Sequence, residues 1–534
     1  MINKQTLTSC YLAVFAYFSC VASLPASSEP FIVKDGRPQA DIVISDKPTR
    51  AVKLAANELA LHIFKMSGAQ LPVVTGPGKD FKTHIYVGRS PWADKLGINF
   101  ADLTNDMFKV VSGEGYLALV GHDTDFQPTE PWCKSAGDRP RMQADWEKRT
   151  GRTWLTMNLS GFKNYNNDLD IWMNDGAGSL YAVYDFLRAL GVEWYMPGEL
   201  GEIIPKQADI MVPEVNKTAA PEVRGRSISF VNFFASGVTN DALWYFRLGL
   251  NGGSQGGFHT MYVILSDPNT RTNHPEYYAL YNGKRDLYSR GGKPCLSSEG
   301  FFSNMVEYAR AHFDVYPQAD EFTVMPGDGY TIMCQCDLCK GKDTPERGWE
   351  GTISDYVWGF VNRVAGEIQK SHPGRKIHCA AYGTYLLPPE KIQLHTNITV
   401  RIVAPTLGAF SGDPARRPHV IAIRNAWLAK LPPGSMLSAH EQNIQNQPGR
   451  KGEGLPIFFM REIAEDLKSW NGKLLGENVE VWQTGGGIGG PGLNHLHYYL
   501  TGRLYWDSGQ DLDRLLDDYY SRFFGPVREE MKSF

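Results

Sequence analysis

The chain has 534 residues, of which 42% are hydrophobic, so it is long enough for two or three domains with large cores. Its formal net charge of −4, without a basic block anywhere in the sequence, argues against a nucleic-acid partner. The aromatic share of 12% suits a protein that packs rings against sugars, and it suits a large core equally well.

The first residues have the pattern of an export signal. Lys4 is the only early charge, an apolar stretch runs from Cys10 to Leu24, and small residues suited to cleavage follow it. The stretch is short for a transmembrane helix, and no other long apolar run occurs. We therefore expect residues 1–26 to be a signal peptide of a secreted or periplasmic protein, which N-terminal sequencing of the exported chain would check. Cys20 leaves a lipoprotein as the alternative, although the residues before it match a lipobox poorly.

Residues 31–205 are predicted to form an N-terminal α+β domain. Period-two apolar runs predict its strands, and helical spacing of apolar residues predicts helices over 49–66 and 178–191, the second ending at glycine. The predicted strands cover 31–33, 40–45, 84–88, 108–111 and 116–121. Residues 123–170 are polar and rich in turn formers, which predicts a long insertion, and 206–222 are predicted to be a linker.

From residue 223 onwards, strands and helices alternate regularly, which is typical of the α/β class. The predicted strands cover 226–230, 321–325, 376–382, 398–404, 436–439 and 479–482, and the predicted helices 301–313, 353–370, 418–430, 457–470 and 493–505. This repetition predicts a (β/α)8-type TIM barrel over 223–534, complete or irregular, whose first two strand-helix units are the least clear. The chain ends inside a predicted helical stretch, as a C-terminally truncated barrel would.

The segment from Glu321 to Tyr330 carries the clearest candidate for chemistry. Its apolar residues predict a buried strand that stops at Pro-Gly, and Asp328 follows directly, beside Gly329. Glycine lets the backbone turn sharply and leaves room beside the carboxylate. Catalytic groups of barrel enzymes lie at the C-terminal strand ends, so an acid there predicts sugar chemistry in an exported protein. The alternative is an aspartate that only caps a turn.

Glycoside hydrolysis usually needs two carboxyl groups, one of which protonates the leaving oxygen. Glu441 is predicted to be the catalytic partner of Asp328, because it belongs to a polar run, 440–443, at the end of a predicted strand. Glu480, placed inside the next predicted strand, is the second candidate. An exposed loop acid is the alternative interpretation of Glu441.

Four further residues are predicted to bind the substrate. His259 follows the glycine-rich run 252–257, which can let a ligand approach the backbone, and the imidazole would bind a sugar hydroxyl. Tyr382 and Trp482 stand at predicted strand ends, where each ring could stack on a pyranose or belong to the core. Gln483, next to Trp482, is the fourth.

Six cysteines remain once the signal peptide is removed. Three of them, Cys334, Cys336 and Cys339, are tightly spaced, and with Cys295 they could hold a zinc ion. Disulfides among them are equally open in an exported protein. Either arrangement predicts a structural role. No pair of histidines stands near these cysteines in the sequence, so a catalytic zinc is not expected. No cofactor is expected to be required for catalysis.

Several motifs resemble known families. The segments Gly178–Leu187 and Leu190–Glu199 look like the end of the N-terminal domain of family 67 α-glucuronidases and family 20 hexosaminidases. An ordered series resembles the family called domain of unknown function 4838, part of which is linked to family 163 endo-β-N-acetylglucosaminidases. That series comprises His274–Arg285, Cys295–Ser297, Gly327–Tyr330, Cys334–Cys339 and Leu504–Asp507.

The resemblance implies an exported glycoside hydrolase that acts on an oligosaccharide or polysaccharide by carboxylate acid/base catalysis. A glycan containing N-acetylglucosamine is one candidate substrate. An α-glucuronidase-like hydrolase is an alternative, for which Arg226, Arg401 and Arg461 could bind the uronate. A non-catalytic glycan-binding protein on a barrel scaffold is the other. Family 20 enzymes carry an adjacent Asp-Glu pair where this chain has Asp328 and Gly329, so their mechanism does not transfer directly.

Overall fold

A computed structural model describes residues 30–157, 159, 164–229, 239–252, 259–404, 415–441, 458–481 and 491–533. Within these ranges, two six-stranded sheets organise the chain, one in its N-terminal part and one in its C-terminal part. Helices pack against both sheets, so the prediction of an α/β fold with an N-terminal α+β part is confirmed. No helix in the described ranges is both long enough and apolar enough to cross a membrane.

The N-terminal sheet combines parallel and antiparallel strands and packs against two helices. Its elements are β1 (Ala40–Val43), α1 (Arg50–Ser67), β2 (Val73–Val74), β3 (Thr83–Val87), β4 (Phe108–Gly113), β5 (Tyr116–Gly121), α2 (Gly178–Ala189) and β6 (Asn216–Ala219). The strands lie in the order β6-β4-β5-β3-β1-β2. Helix α1 begins after Thr49, whose hydroxyl accepts a hydrogen bond from the Val52 amide, and ends at Gly68 in the left-handed conformation (φ 80°).

The stretch 206–222, predicted to be a linker, is partly ordered into this sheet. Strand β6 pairs antiparallel with β4, with Asn216 opposite Val111 and Ala219 opposite Phe108. The prediction failed because β6 is an edge strand whose residues are mostly exposed, so it lacks the apolar alternation that marks a half-buried strand.

The predicted insertion contains a helix, Arg139–Thr150, that the sequence pattern did not indicate. Only Met142 and Trp146 of this helix are buried, too few to give a helical periodicity. Trp146 lies against two tyrosines of the barrel, with ring centroids 5.1 Å from Tyr308 and 6.4 Å from Tyr316. The insertion is therefore packed onto the C-terminal part by aromatic contacts.

The C-terminal sheet is entirely parallel, in the order β7-β12-β11-β10-β9-β8. Strand β7 pairs with β12, the last strand, whereas β7 and β8 do not pair in the described part of the chain, so the sheet is a curled, parallel half-barrel. Its elements are β7 (Gly225–Ile228), α3 (Thr239–Arg247), α4 (Glu299–Val315), β8 (Glu321–Thr323), α5 (Ser354–Ser371), β9 (Lys376–Tyr382), β10 (Ile398–Val403), α6 (Arg416–Lys430), β11 (Leu437–Glu441), α7 (Met460–Ser469), β12 (Leu474–Val479) and α8 (Pro491–Trp506).

The barrel is irregular between β7 and β8, where two further strands would stand. Within the described residues, two backbone hydrogen bonds connect this stretch to the segments of β7 and β8. The amide of Asn251 donates to the carbonyl of Arg226 (2.9 Å), and the amide of Met261 donates to the carbonyl of Met325 (3.1 Å). The described part of the barrel thus has six regular strands, and its irregular side is the one that the sequence pattern left least clear.

Shorter elements complete the described fold. Strand Phe31–Lys34 pairs with Arg37–Pro38 and Ile210–Met211, and the other short pairs are Tyr165–Asn166 with Ile171–Trp172, Asp123–Thr124 with Gly176–Ala177, Glu193–Trp194 with Glu202–Ile203, and Leu280–Tyr281 with Lys284–Arg285. The remaining α-helices are Tyr262–Leu265, Pro268–Asn273, Leu512–Tyr519 and Arg528–Ser533.

A buried arginine joins the two sheets. Arg226 of β7 is fully buried and forms an ion pair with Asp106, which precedes β4, at 2.9 Å. Its Nε donates to the carbonyl of Gly249 (2.6 Å), and its guanidinium lies 5.1 Å from the ring centroid of Trp506. Asn251 donates to the same carboxylate at 2.8 Å. The N-terminal part and the barrel therefore share a charged, buried contact.

Candidate functional site

The register of the barrel strands separates side chains that face the interior from those that face the helices. In a parallel pair, residues in register point to the same face, and successive residues alternate. Ala380 is in register with Arg401, and Arg401 with Ser438. Tyr382 and His440, each two residues further along, therefore lie on the same, interior face near the C-terminal ends of β9 and β11.

Asp328 lies just beyond the C-terminal end of β8, in the position predicted from the sequence. Its carboxylate Oδ1 accepts a hydrogen bond from the Tyr382 hydroxyl at 3.1 Å, and the residue is half-buried. Gly329 follows with φ 70°, a conformation that a side chain would strain, so the turn after the acid depends on glycine. The Lys293 ammonium donates to the backbone carbonyl of Asp328. Both the side chain and the backbone of Asp328 are thus held by neighbours from other segments.

His259 completes this group. It has φ 56°, which is uncommon for a residue with a side chain. Its Nδ1 lies 2.8 Å from the carbonyl oxygen of Pro326, so Nδ1 carries the proton and Nε2 of the neutral ring is the acceptor. The imidazole centroid is 6.5 Å from that of Tyr382. Asp328, Tyr382 and His259 are called the Asp328 cluster below. The other two predicted substrate contacts, Trp482 and Gln483, lie outside the described residues.

Glu441, predicted to be the second carboxylate, lies apart from the Asp328 cluster. It is 2% exposed, and its Oε1 lies 3.9 Å from Nη2 of Arg424 on helix α6. Arg424 in turn binds Asp466 of helix α7 through two hydrogen bonds of 2.8 and 2.9 Å. Glu441 therefore points from β11 into the helix layer, while its neighbour His440 faces the interior.

Glu477 of β12 extends this buried acidic group. Carboxylate oxygens of Glu441, Asp466 and Glu477 lie within 4.8 Å of one another, and the Tyr505 hydroxyl donates to Glu477 at 2.5 Å. Burial, with a smaller contribution from Asp466, raises the pKa of Glu477 to about 7, against the opposing effects of Tyr505 and Arg424. Because the Arg424 guanidinium already supplies positive charge here, the group has the character of a structural ion network.

This elevated pKa predicts a pH dependence of stability. The folded protein holds the Glu477 proton more tightly than the unfolded chain, whose carboxyl has a pKa near 4.5. The contribution to stability is thus complete below about pH 4.5 and is lost as the pH rises through about 7. We expect Glu477→Gln to abolish a decline on the order of 1–3 kcal/mol between about pH 5 and pH 8. Denaturant unfolding at both pH values measures this, and an unchanged decline in the variant would contradict it.

Glu480 is the carboxylate that the structure places on the interior side. It follows the last residue of β12, and its side chain keeps 34% of its exposure. The side-chain amide of Asn478 donates to His440 Nδ1 at 2.9 Å, so the proton of the neutral ring is on Nε2, 3.3 Å from a Glu480 oxygen. Asn478 and His440 therefore orient Glu480 at the strand ends. The sequence prediction put Glu480 inside a strand, because it set that strand several residues too late.

Only one of the three arginines considered for a uronate faces the barrel interior. Arg226 is committed to Asp106, and Arg461 forms an exposed ion pair with Asp513. Arg401 is 1% exposed, and burial lowers its pKa to about 10, although the charge of Glu321 opposes the shift. Of these three arginines, Arg401 is therefore the one that remains a candidate for binding a uronate.

The four predicted cysteines come together beside the Asp328 cluster. Sulfurs of Cys295, Cys336 and Cys339 are 3.6 to 3.7 Å apart, and Cys334 lies in the same buried group. Lys293, which holds the Asp328 carbonyl, stands two residues before Cys295. Lys293 was not among the predicted site residues, because nothing in the local sequence pattern shows that its segment adjoins the segment of Asp328.

The model of a family described as domain of unknown function (DUF4838) matches residues 196–427, which confirms the resemblance predicted from the sequence. This range includes strands β7 to β10, Asp328 and the four cysteines. The comparison with curated proteins found no match.

The solved structures that are similar in fold include glycoside hydrolases. One is a family GH115 4-O-methyl-α-glucuronidase, BtGH115A, with specificity for decorated arabinogalactans, at TM-score 0.49 and 12% identity, covering 94% of this chain and 61% of that one. Another is the GH20 β-N-acetylhexosaminidase from Streptomyces coelicolor A3(2), at TM-score 0.37 and 12% identity, covering 94% and 92%. A third, CpGH84B, has TM-score 0.41 and 10% identity, covering 92% and 72%. The present chain therefore spans about three-fifths of the length of the glucuronidase.

Proposed function

We propose that the protein is an exported glycoside hydrolase whose general acid is Asp328. The observation that carries the proposal is the Asp328 cluster at the C-terminal edge of the barrel. A half-buried carboxyl there receives a hydrogen bond from Tyr382, whose ring in turn lies near the imidazole of His259. In a (β/α)-barrel this edge is where substrates bind and react.

The hydrogen bond from Tyr382 assigns different tasks to the two carboxyl oxygens. Oδ1 accepts from the Tyr382 hydroxyl, so the transferable proton of the acid form is on Oδ2. Donation of this proton to the glycosidic oxygen would leave a carboxylate that the same hydrogen bond stabilises. The Lys293 contact fixes the backbone that carries the acid. The tyrosine ring offers a flat surface for a pyranose at the same edge.

Glu480 is the proposed second carboxylate. It follows the C-terminal end of β12 and is oriented by His440, and it would act as a nucleophile or as a base that activates water. The separation of the two carboxyl groups in the substrate complex would decide the stereochemistry. About 5–5.5 Å fits retention, and about 6.5–9.5 Å fits inversion.

An α-glucuronidase-like activity is the second candidate. It is favoured by Arg401, which faces the interior of the barrel and lies near the charge of Glu321. A guanidinium in that position suits the carboxylate of a uronic acid. The acid role of Asp328 would be the same in either activity, so the two candidates differ in the sugar that is bound.

The proposal is tested by incubating the mature protein with two sets of glycans and counting new reducing ends. One set contains N-acetylglucosamine linkages, and the other contains 4-O-methylglucuronic or glucuronic acid branches. Release from either set supports the proposal and selects between the candidates. A protein that retains a glycan on an affinity column but releases no product would be a binding protein, and the proposal would be wrong. For the variant Asp328→Asn, the matched control is Asp343→Asn, at an exposed aspartate of the same connection between β8 and α5.

A further inference from the structure

Three sulfurs of the four-cysteine group have the spacing of a tetrahedral metal site, and the Cys334 sulfur lies within 4.8 Å of them. The distances are 3.7 Å from Cys295 to Cys336, 3.6 Å from Cys295 to Cys339 and 3.6 Å from Cys336 to Cys339. A tetrahedron with zinc–sulfur bonds of about 2.3 Å has edges of about 3.8 Å. A disulfide would instead require a sulfur–sulfur distance of about 2.05 Å. The observed spacing therefore matches shared coordination of one ion.

The surroundings of the sulfurs suit thiolates. All four cysteines are buried, with at most 8% exposure. The amide of Leu280 donates to the Cys334 sulfur at 3.2 Å, and the Tyr356 hydroxyl lies 3.1 Å from the Cys339 sulfur. Such contacts from outside the ligand set orient and stabilise metal-bound sulfur. Four thiolates buried together without a cation would be strongly unfavourable, so the ion and the thiolates require each other.

We propose that Cys295, Cys334, Cys336 and Cys339 bind one Zn²⁺ as a closed structural site. Binding displaces the four thiol protons into solvent and forms four zinc–sulfur bonds, without any change of oxidation state. All four coordination positions are filled by protein, which leaves none for a substrate or a reactive water. The ion therefore holds segments of the chain together and takes no part in bond cleavage.

The position of the site gives it a second consequence. Two contacts tie the segment just before Cys295 to the turn that carries Asp328. Lys293 donates to the Asp328 carbonyl, and the Tyr330 hydroxyl donates to the carbonyl of Pro294 at 3.1 Å. Zinc thus positions Asp328 by fixing the 293–295 segment against the turn. Only this consequence, and not metal binding itself, rests on the proposed function.

Metal analysis of the full mature chain, purified without chelator, tests the site. We expect one zinc ion per chain in the wild type, near-complete loss in Cys295→Ser, and full retention in Cys133→Ser. Cys133 is a suitable control because it is equally buried and its thiol donates only to the carbonyl of Ser135. Disulfides among the four cysteines by mass spectrometry, or a wild type without bound metal, would overturn the proposal.

Two further measurements keep the test decisive if Cys295→Ser does not fold. Replacement of zinc by Co²⁺ in the wild type should produce the thiolate-to-cobalt absorption of a tetrahedral four-sulfur site, and a spectrum of six oxygen or nitrogen ligands would overturn the proposal. Asp328→Asn should keep its full zinc content. A protein that binds zinc as expected but cleaves no glycan would therefore refute the proposed function while leaving the metal site supported.

Discussion

Asp328→Asn is expected to lower turnover of a natural glycan by about 10²–10⁴-fold. Asparagine keeps the size and shape of the side chain, and it can still pair with Tyr382, but it cannot deliver a proton to a poor leaving group. An activated aryl glycoside, which needs little protonation, should be affected far less. Steady-state rates on the two kinds of substrate measure the difference.

The comparison of substrates separates a catalytic role from a structural one. If Asp328 only caps the turn before Gly329, asparagine should cap it nearly as well, and both substrates would be turned over at the wild-type rate. That outcome would reject the assignment and move the search to Glu480. Asp343→Asn, at an exposed aspartate, should leave both rates unchanged.

Arg226→Met is expected to destabilise the protein by about 3–5 kcal/mol. The substitution leaves the Asp106 carboxylate buried and without its guanidinium partner in the contact between the N-terminal sheet and the barrel. Methionine retains much of the apolar contact with Trp506. The decrease in the free energy of unfolding should therefore come mainly from the uncompensated charge of the Asp106 carboxylate. Denaturant unfolding measures it, and a cost below about 1 kcal/mol would contradict the account.

A double variant and a surface control sharpen this prediction. Asp106→Asn combined with Arg226→Met removes the stranded charge, so we expect part of the stability lost in the single variant to return. Asparagine also tolerates the left-handed backbone at position 106 (φ 65°). Arg461→Met, which breaks the exposed pair with Asp513, should change stability by no more than about 0.5 kcal/mol.

The sequence was most informative where burial is continuous. Strand β9 begins and ends where its apolar run predicted, at 376–382, and helix α5 begins and ends within a residue of its prediction. Edge strand β6 and the helix Arg139–Thr150 bury few side chains, so local periodicity could not reveal them. The prediction for the strand near Glu480 is several residues late, because Gly476, Glu477 and Asn478 interrupt the apolar residues of the observed strand.

For the candidate site, the sequence predicted the position of a single residue, Asp328, better than it predicted which residues contact one another. Asp328 follows β8 after a Pro-Gly turn, as predicted, although the strand itself ends earlier, at Thr323. His440 and Glu441 are successive residues of a strand, so only one of their side chains faces the barrel interior. A run of polar residues does not show which one it is. The contact of Lys293 with Asp328 joins segments 35 residues apart. Such partners depend on the tertiary fold and have no local signal.

The most direct test of the Asp328 cluster as the active site is a crystal structure of Asp328→Asn bound to an oligosaccharide that the wild type cleaves. We predict that the side chain at position 328 lies about 3 Å from the glycosidic oxygen and that the Tyr382 ring contacts the sugar. An oligosaccharide bound elsewhere on the protein, with its scissile bond out of reach of position 328, would contradict the account.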